Sequence, residues 1–472
     1  MNADELHYLS ISALGKLYRA RELSPVEVTR ALLDRIEKYN RRLNAFITVL
    51  EESALAQARQ AEQDFMQGVE RGPLQGIPFS LKDIFDTAGV RTTAGSPHWA
   101  NRIPDQTATS ARQLLEAGGV LIGKCNLLEF AYGIVHPDFG QCNNPWDLQR
   151  TSGGSSSGSA ASVAAGMGWG SLGTDTGGSI RIPASYCGVV GLKPTYGRVS
   201  RHGVFPLSWS LDHVGTLARS VEDSAILLEI IAGHDALDST SAQEAVPAYR
   251  TGLSHTLKGV KVGILEQHLN HPDLHPGVRE TTWQAIQELK ALGATLISLH
   301  IPSLDLADPA LLVAILPEAT VVHEQMLREH PEKYAQGTRQ QLELGALLPA
   351  VDYIRAQQFR TRLLDEFMQA LSEADVIVSP TVAFEAPAED PLVAAGQGSD
   401  EARRTAPYNL IGLPAVSVPC GFGPAGLPLG LQIAGAPFAE DVILNVAYAY
   451  EQHAGWFQAH PKGIDYQATA NQ

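Results

Sequence analysis

Two hydrophobic rhythms alternate along this chain: apolar residues at helical spacing, and short unbroken apolar runs bounded by glycine or proline, the pattern of helices alternating with buried strands. Near the start, Ser24-Pro25-Val26-Glu27 is a capping box with proline at the first helical position, followed by Val28, Leu32, Leu33 and Ile36 at helical spacing. The first ~70 residues therefore read as largely helical. The run Ile77 to Leu81 predicts a strand that ends on Lys82, and Thr109 to Ala117 predicts a helix stopped by Gly118-Gly119. Val120 to Gly123 predicts another buried strand. Val260 to Leu265, Val278 to Leu292 and Ala294 to Leu299 then read as strand, helix and strand. Tyr353 to Leu371 is a further amphipathic helix, and strands return at Val376 to Val378, Ala415 to Val418 and Leu429 to Ile433. Repeated β/α units of this kind predict the α/β class.

The chain is 472 residues long and 44% hydrophobic, enough for a large core. Length alone suggests roughly three ordinary domains. No charge block, low-complexity tract or long Pro/Gly/Ser linker marks a boundary, so one domain spanning 1–472 is expected. Within it lie a helical N-terminal region (1–70), a core (71–220), a variable helix-rich part (221–375) that forms a semi-separate lobe, and a return to the core sheet (376–472). A net charge of −16 argues against nucleic acid and anionic membranes as partners. The acidic start carries no basic region leading into an apolar one, and no uncharged stretch reaches membrane-spanning length. Cys125, Cys142, Cys187 and Cys420 lie far apart, with no CxxC and no zinc-ligand spacing, and read as buried thiols in a reducing cytoplasm.

The chemistry concentrates in Thr151 to Thr174, a stretch without a charged residue that opens Thr-Ser-Gly-Gly-Ser-Ser-Ser-Gly-Ser-Ala-Ala-Ser. Composition alone would make it a flexible linker. It runs instead into a small-residue helix, Ala160 to Gly166, and then into Gly173-Thr174-Asp175-Thr176-Gly177-Gly178-Ser179-Ile180-Arg181, a second backbone-permissive turn that carries a serine. Gly168, Gly170 and Gly173 satisfy a dinucleotide-binding GxGxxG, but no strand precedes them and the context test fails. Gly154 to Gly158 satisfies GxSxG, which would make Ser156 an elbow nucleophile, yet the residues upstream, Asn143 to Arg150, predict no strand.

Gly153 to Ala161 followed by Gly173 to Arg181, with Ser155 and Ser179 separated by 24 positions, resembles the signature of the amidase signature enzymes. The resemblance extends to Gly76-Ile77-Pro78 through Lys82-Asp83, Thr92 to Ser96, Gly191 to Gly197, and Asn409 through Ile433. It implies an α/β fold with a large mixed, mostly parallel central β-sheet covered by helices on both faces. It also implies Ser179 as nucleophile, Ser155 as a relay on a cis peptide bond, and Lys82 as base. The residue chemistry agrees. A serine hydroxyl needs a base, and lysine can serve when apolar neighbours such as Ile84 and Phe85 keep it neutral. The run Thr176-Gly177-Gly178 can turn backbone N–H groups inward as an oxyanion hole. Asp175 reads as a buried carboxylate that holds this loop. Arg181 either clamps a substrate carboxylate or pairs with a structural one. Tyr132, Phe205 and Trp209 are candidates for lining a substrate pocket, and Tyr132 and Arg181 are the tentative substrate-binding residues. His202 and His213 are assigned packing or surface roles.

The expected activity is hydrolysis of a small-molecule amide through an acyl-enzyme, without metal or organic cofactor, in a cytoplasmic protein whose homo-oligomerisation is left open. One alternative is the glutaminase subunit of a tRNA-dependent amidotransferase, which Tyr196 to Arg201 also resembles. Ala402-Arg403-Arg404-Thr405 before Pro407-Tyr408-Asn409 lacks the carboxylate such subunits carry, and Ile182 also departs from them. The other alternative is a non-catalytic binding protein on the same fold.

Overall fold

The computed structural model describes residues 3–391, 397–462 and 464. Among them, strands β1 (Phe46–Val49), β2 (Pro78–Lys82), β3 (Val120–Cys125), β4 (Gly170–Asp175), β5 (Val190–Lys193), β6 (His213–Ala218), β7 (Lys261–Leu265), β8 (Thr295–Leu299), β9 (Val376–Pro380), β10 (Ala415–Phe422) and β11 (Pro428–Ala434) form one sheet. Their spatial order is β1-β3-β2-β4-β6-β5-β10-β11-β9-β7-β8.

The sheet is mixed and flanked by helices, as expected, but it is not mostly parallel. Parallel pairing is confined to two blocks, β3-β2-β4 and β9-β7-β8. Antiparallel strands β6, β5, β10 and β11 join them, and β1 caps one edge in the antiparallel sense. The physical reason is that β5/β6 and β10/β11 follow one another through irregular connections or a tight turn, without the crossover helix that a parallel neighbour needs. Strands β7 and β8 belong to the same sheet, so the segment read as a semi-separate lobe shares the core.

Local chemistry explains the elements that position the site. Ser24 Oγ accepts from the N–H groups of Val26 and Glu27 and starts the helix Pro25–Leu43, with Pro25 in its first turn. Strands β2 and β3 are buried along their whole length, which is why they appear in the sequence as unbroken apolar runs. Because β2 and β4 are parallel neighbours, their last residues, Lys82 and Asp175, emerge at the same edge of the sheet. Carboxyl ends of parallel strands are where α/β sheets place ligands. The small-residue helix, Ser157–Ala164, is fully buried beside β2, β3 and β4.

The helix Ala307–Glu329 packs on the helices Gln336–Gly345, Ala350–Glu373 and Ala406–Leu410. By length and composition, Leu304–Glu329 is the one stretch among the described residues that passes the test for a membrane span, and half of its most apolar window is buried inside the protein. It also carries buried Asp308 and Glu318, which fits a core helix better than a lipid-facing one.

Candidate active site

Lys82 is fully buried at the end of β2. Its Nζ lies 2.7 Å from Ser155 Oγ and 2.9 Å from Thr174 Oγ1. Burial pushes the ammonium down from 10.5 to about 7, against the opposing pull of Asp175 and Asp212. Neither carboxylate makes a direct ion pair with it. Asp83, the next residue, faces the other way, pairing with Lys124 at 3.2 Å and accepting from Thr93.

Ser155 follows a cis Gly154–Ser155 peptide bond. Ser179 lies just past the end of β4, partly exposed to a cavity of about 120 Å³ that Ser155, Thr176, Gly177 and Gly178 also line. Its carbonyl accepts from Ser156 N–H at 3.1 Å, and among the described residues its hydroxyl has no partner. The two serines thus share one cavity wall without a direct hydrogen bond between them.

The turn between β4 and the helix Arg181–Cys187 is held from outside the cavity. Asp175 accepts from the N–H groups of Ile180 and Arg181, as expected of a loop-holding carboxylate. Burial alone would raise its pKa, but Arg181 and Lys193, with a hydrogen bond from Asn409, hold it well below the usual carboxylate range. Thr405 Oγ1 donates to Gly177 O at 2.6 Å. In a trans peptide the next N–H points the opposite way, so this bond turns the Gly178 N–H away from Thr405. Among the described residues, no acceptor takes the N–H of Gly177, Gly178 or Ser179. Gly178 has φ +145°, and a Cβ there would collide with Thr405 Oγ1 and Ile182.

Arg181 is not at the cavity. It is fully buried, and all five of its N–H donors are used: on both oxygens of Asp175 (3.0 Å each), on Asn409 Oδ1 (2.5 Å), on Thr405 O (3.0 Å) and on Gln432 Oε1 (2.8 Å). This corrects its placement among the substrate-binding candidates, because a guanidinium with no free donor cannot clamp a carboxylate. Tyr132 does line the cavity, nearly buried, with its hydroxyl unpartnered. Phe205 and Trp209 line a second cavity of about 260 Å³ with Arg201, His202 and His213, adjoining the first at Ala131, Thr176 and Leu207. His213 Nδ1 sits 2.6 Å from Leu211 O, and burial pushes its pKa well below 6.5.

Ser156, the elbow alternative, is buried in a backbone clamp. Its Oγ donates to Thr174 O (3.1 Å) and accepts from Thr174 N–H (3.3 Å), and no strand leads into it. The GxGxxG glycines also lack the dinucleotide context, since β4 begins at the second of them. The four cysteines are free and buried. Among the described residues, no three His, Cys, Asp or Glu side chains gather as a metal site.

The family model described as Amidase matches residues 27–444. The chain belongs to the amidase signature family. A relative from a Geobacter species, named as a subunit of Glutamyl-tRNA(Gln) amidotransferase, is 41% identical over 96% of this chain and 98% of its own length. The solved structure of the corresponding Glutamyl-tRNA(Gln) amidotransferase subunit from Thermotoga maritima is 34% identical with a TM-score of 0.82, covering 95% of each chain. The native peptide amidase from Stenotrophomonas maltophilia is 32% identical with a TM-score of 0.83, covering 94% of this chain and 97% of its own. This amidase-family chain therefore resembles both a component of an amidotransferase and a free amidase along nearly its whole length.

Sequence reasoning missed Asp308, Gln341, Asp390 and Glu401, which line this cavity, and Thr174, which lines the adjoining one. Asp308 and Gln341 come from the variable helices, and Thr174 anchors Lys82 from inside the serine motif. The four cavity residues carry no local motif. Thr174 stood in the quoted signature, and only the strand pairing of β2 with β4 reveals its use.

Proposed function

We propose that this chain hydrolyses a carboxamide through an acyl-enzyme on Ser179. The observation that carries the reading is the 2.7 Å contact between Lys82 Nζ and Ser155 Oγ, in a site where burial favours the neutral amine. Ser179 Oγ attacks the amide carbon and passes its proton through Ser155 to Lys82. The unpartnered N–H groups of Gly177, Gly178 and Ser179, with the Thr176-Gly177-Gly178 run, stabilise the oxyanion, worth about 3 to 4 kcal/mol per well-aimed donor. The proton then returns through Ser155 to the leaving nitrogen. Water, deprotonated by the same route, frees the acid and regenerates Ser179.

Two readings of the substrate have support. The names of the amidotransferase relatives favour that alternative over the free-standing amidase: the amide would be glutamine, with partner subunits and tRNA in the larger reaction. That reading sets aside the absence of a nucleic-acid partner expected from the charge. Ala402, where the sequence lacks a carboxylate, does line the cavity, but Glu401, Asp390 and Asp308 line it too, so an amine has acidic partners. Hydrolysis of a small-molecule amide is favoured by a different observation. No Lys or Arg lines this cavity among the described residues, and Arg201 of the adjoining one is engaged by Asp238, Trp209 O and the Tyr196 hydroxyl, leaving the α-carboxylate of glutamine without a free counter-charge.

Ammonia release from glutamine and from a panel of simple carboxamides, with Ser179→Ala as control, tests the proposal. Release that disappears in Ser179→Ala supports the chemistry. Undiminished release by that variant contradicts it. Glutamine turnover appearing only with a co-purified partner would select the amidotransferase reading.

A further inference from the structure

The cavity at Ser179 is lopsided in a way the proposed chemistry does not require. Its apolar wall is formed by Ile182, Leu311, Leu312 and Ile315. Three of its polar groups, away from the serines, lack partners. Asp308, in the first turn of the helix Ala307–Glu329, is 6% exposed, lines the cavity and makes no hydrogen bond with any described residue. Gln341, on the helix Gln336–Gly345, is 2% exposed and leaves both its amide nitrogen and its amide oxygen unsatisfied. The Tyr132 hydroxyl is unsatisfied as well.

Buried polar groups without partners are expensive, at about 1 to 3 kcal/mol each, and native proteins keep few of them. Two such side chains, Gln341 and Tyr132, beside the unpartnered carboxylate of Asp308 on one cavity wall point to a ligand that completes them. The nearby cations are already committed: Arg403 pairs with Asp273 (3.1 Å) and Asp400 (3.0 Å), and Arg404 with Asp273 (2.6 Å). Asp390, which accepts from Thr151, and Glu401, which accepts from Tyr186, also line the cavity and add carboxyl groups and no base; burial raises them to about 6 and about 8.

We propose that Asp308, with Gln341 and Tyr132, selects amides whose far end is a protonated amine or amidinium and which carry no carboxylate. This rests on the proposed amide hydrolysis and names its substrate class. An ammonium or amidinium supplies several donors and one positive charge to a wall that presents acceptors and negative charge. Leu311, Leu312 and Ile315 would cover the alkyl stem between that head and the reacting carbonyl. A carboxylate in the same place would face the Asp308 carboxylate, while Arg403, the cation whose charge reaches Asp308, is already paired to Asp273 and Asp400.

The test uses ω-amino amides of increasing stem length, their uncharged alkyl isosteres, and carboxylate-bearing amides including glutamine. Turnover is measured with the purified wild-type chain, and binding to Ser179→Ala by calorimetry. The ammonium series should exceed its isosteres in kcat/KM by about tenfold or more, mostly through KM, and should bind Ser179→Ala where glutamine does not. Asp308→Asn should bring the ratio of ammonium to isostere close to one, and Gln341→Leu should lower it. The wild-type preference needs no variant, so a misfolded mutant does not blunt the test. Turnover of neutral or carboxylate-bearing amides in preference, or an unchanged ratio in folded Asp308→Asn, overturns the proposal while leaving the chemistry standing. Binding of ammonium amides without any turnover overturns the chemistry and leaves the recognition. No binding and no turnover across the panel overturns both.

Discussion

Replacing Lys82 with methionine separates what this lysine contributes to catalysis from what it does to stability. With its pKa at about 7 rather than 10.5, roughly half the molecules hold a neutral amine at pH 7, against about one in three thousand for an unperturbed lysine. The same shift makes folding unfavourable for this group. The unfolded chain binds the proton more tightly, so the penalty is fully present below pH 7 and fades as pH rises toward 10.5. A shift of 10.5 − 7 is roughly 5 kcal/mol at 1.36 kcal/mol per pH unit. Lys82→Met removes that penalty and strands Ser155 Oγ and Thr174 Oγ1 at about 1 to 3 kcal/mol each. The expected outcome in urea denaturation at pH 7 is a stability between about 1 kcal/mol below and about 3 kcal/mol above the wild type, with amide turnover lost. In the wild type, kcat/KM should climb about tenfold per pH unit below 7 and level off above about 8. A loss of several kcal/mol in Lys82→Met, together with a flat pH profile across 6 to 8, would refute the reasoning. It would mean that Lys82 is held charged by Asp175 and Asp212.

Three further variants probe the surrounding structure. Ser156→Ala breaks the clamp on Thr174 and should lose about 1 to 3 kcal/mol of stability while keeping amide turnover; abolished turnover in a folded variant would revive the elbow reading. Arg181→Ala leaves Asp175 buried and unpaired and should cost about 3 to 5 kcal/mol, read by thermal or urea unfolding, whereas a raised KM at unchanged stability would return Arg181 to substrate binding. Gly178→Ala places a methyl against Thr405 and Ile182 and disturbs an oxyanion donor, so kcat should fall by about 10² to 10³, measured with a good amide at saturating concentration; wild-type kcat would remove this turn from the oxyanion hole.

What could be read from the chain and what could not divides along physical lines. The capped helix after Ser24, the buried run that ends on Lys82, and the helix and strands between 260 and 299 were legible because propensity, burial and capping agree there. Strand β4 was not. Gly170-Ser171-Leu172-Gly173-Thr174-Asp175 has little intrinsic strand preference and is extended because β2 and β6 pair with it on either side. Strands β5 and β6 were missed too, although each is buried throughout, and β1 was absorbed into the stretch read as helical. Lys82, Ser155 and Ser179 could be named from spacing and family resemblance. The position of Arg181 could not, because its partners Thr405, Asn409 and Gln432 lie more than 220 residues away. Asp308 and Gln341 reach the cavity from helices whose local pattern records only which face is apolar.

The most direct test of the account is peptide mapping after exposure of the purified chain to a fluorophosphonate, which phosphonylates an activated serine. A single adduct on Ser179, absent in Ser179→Ala and forming much more slowly in Lys82→Met and Ser155→Ala, is the predicted result. An adduct on Ser156, or none at all under conditions where the chain turns over an amide, would contradict it.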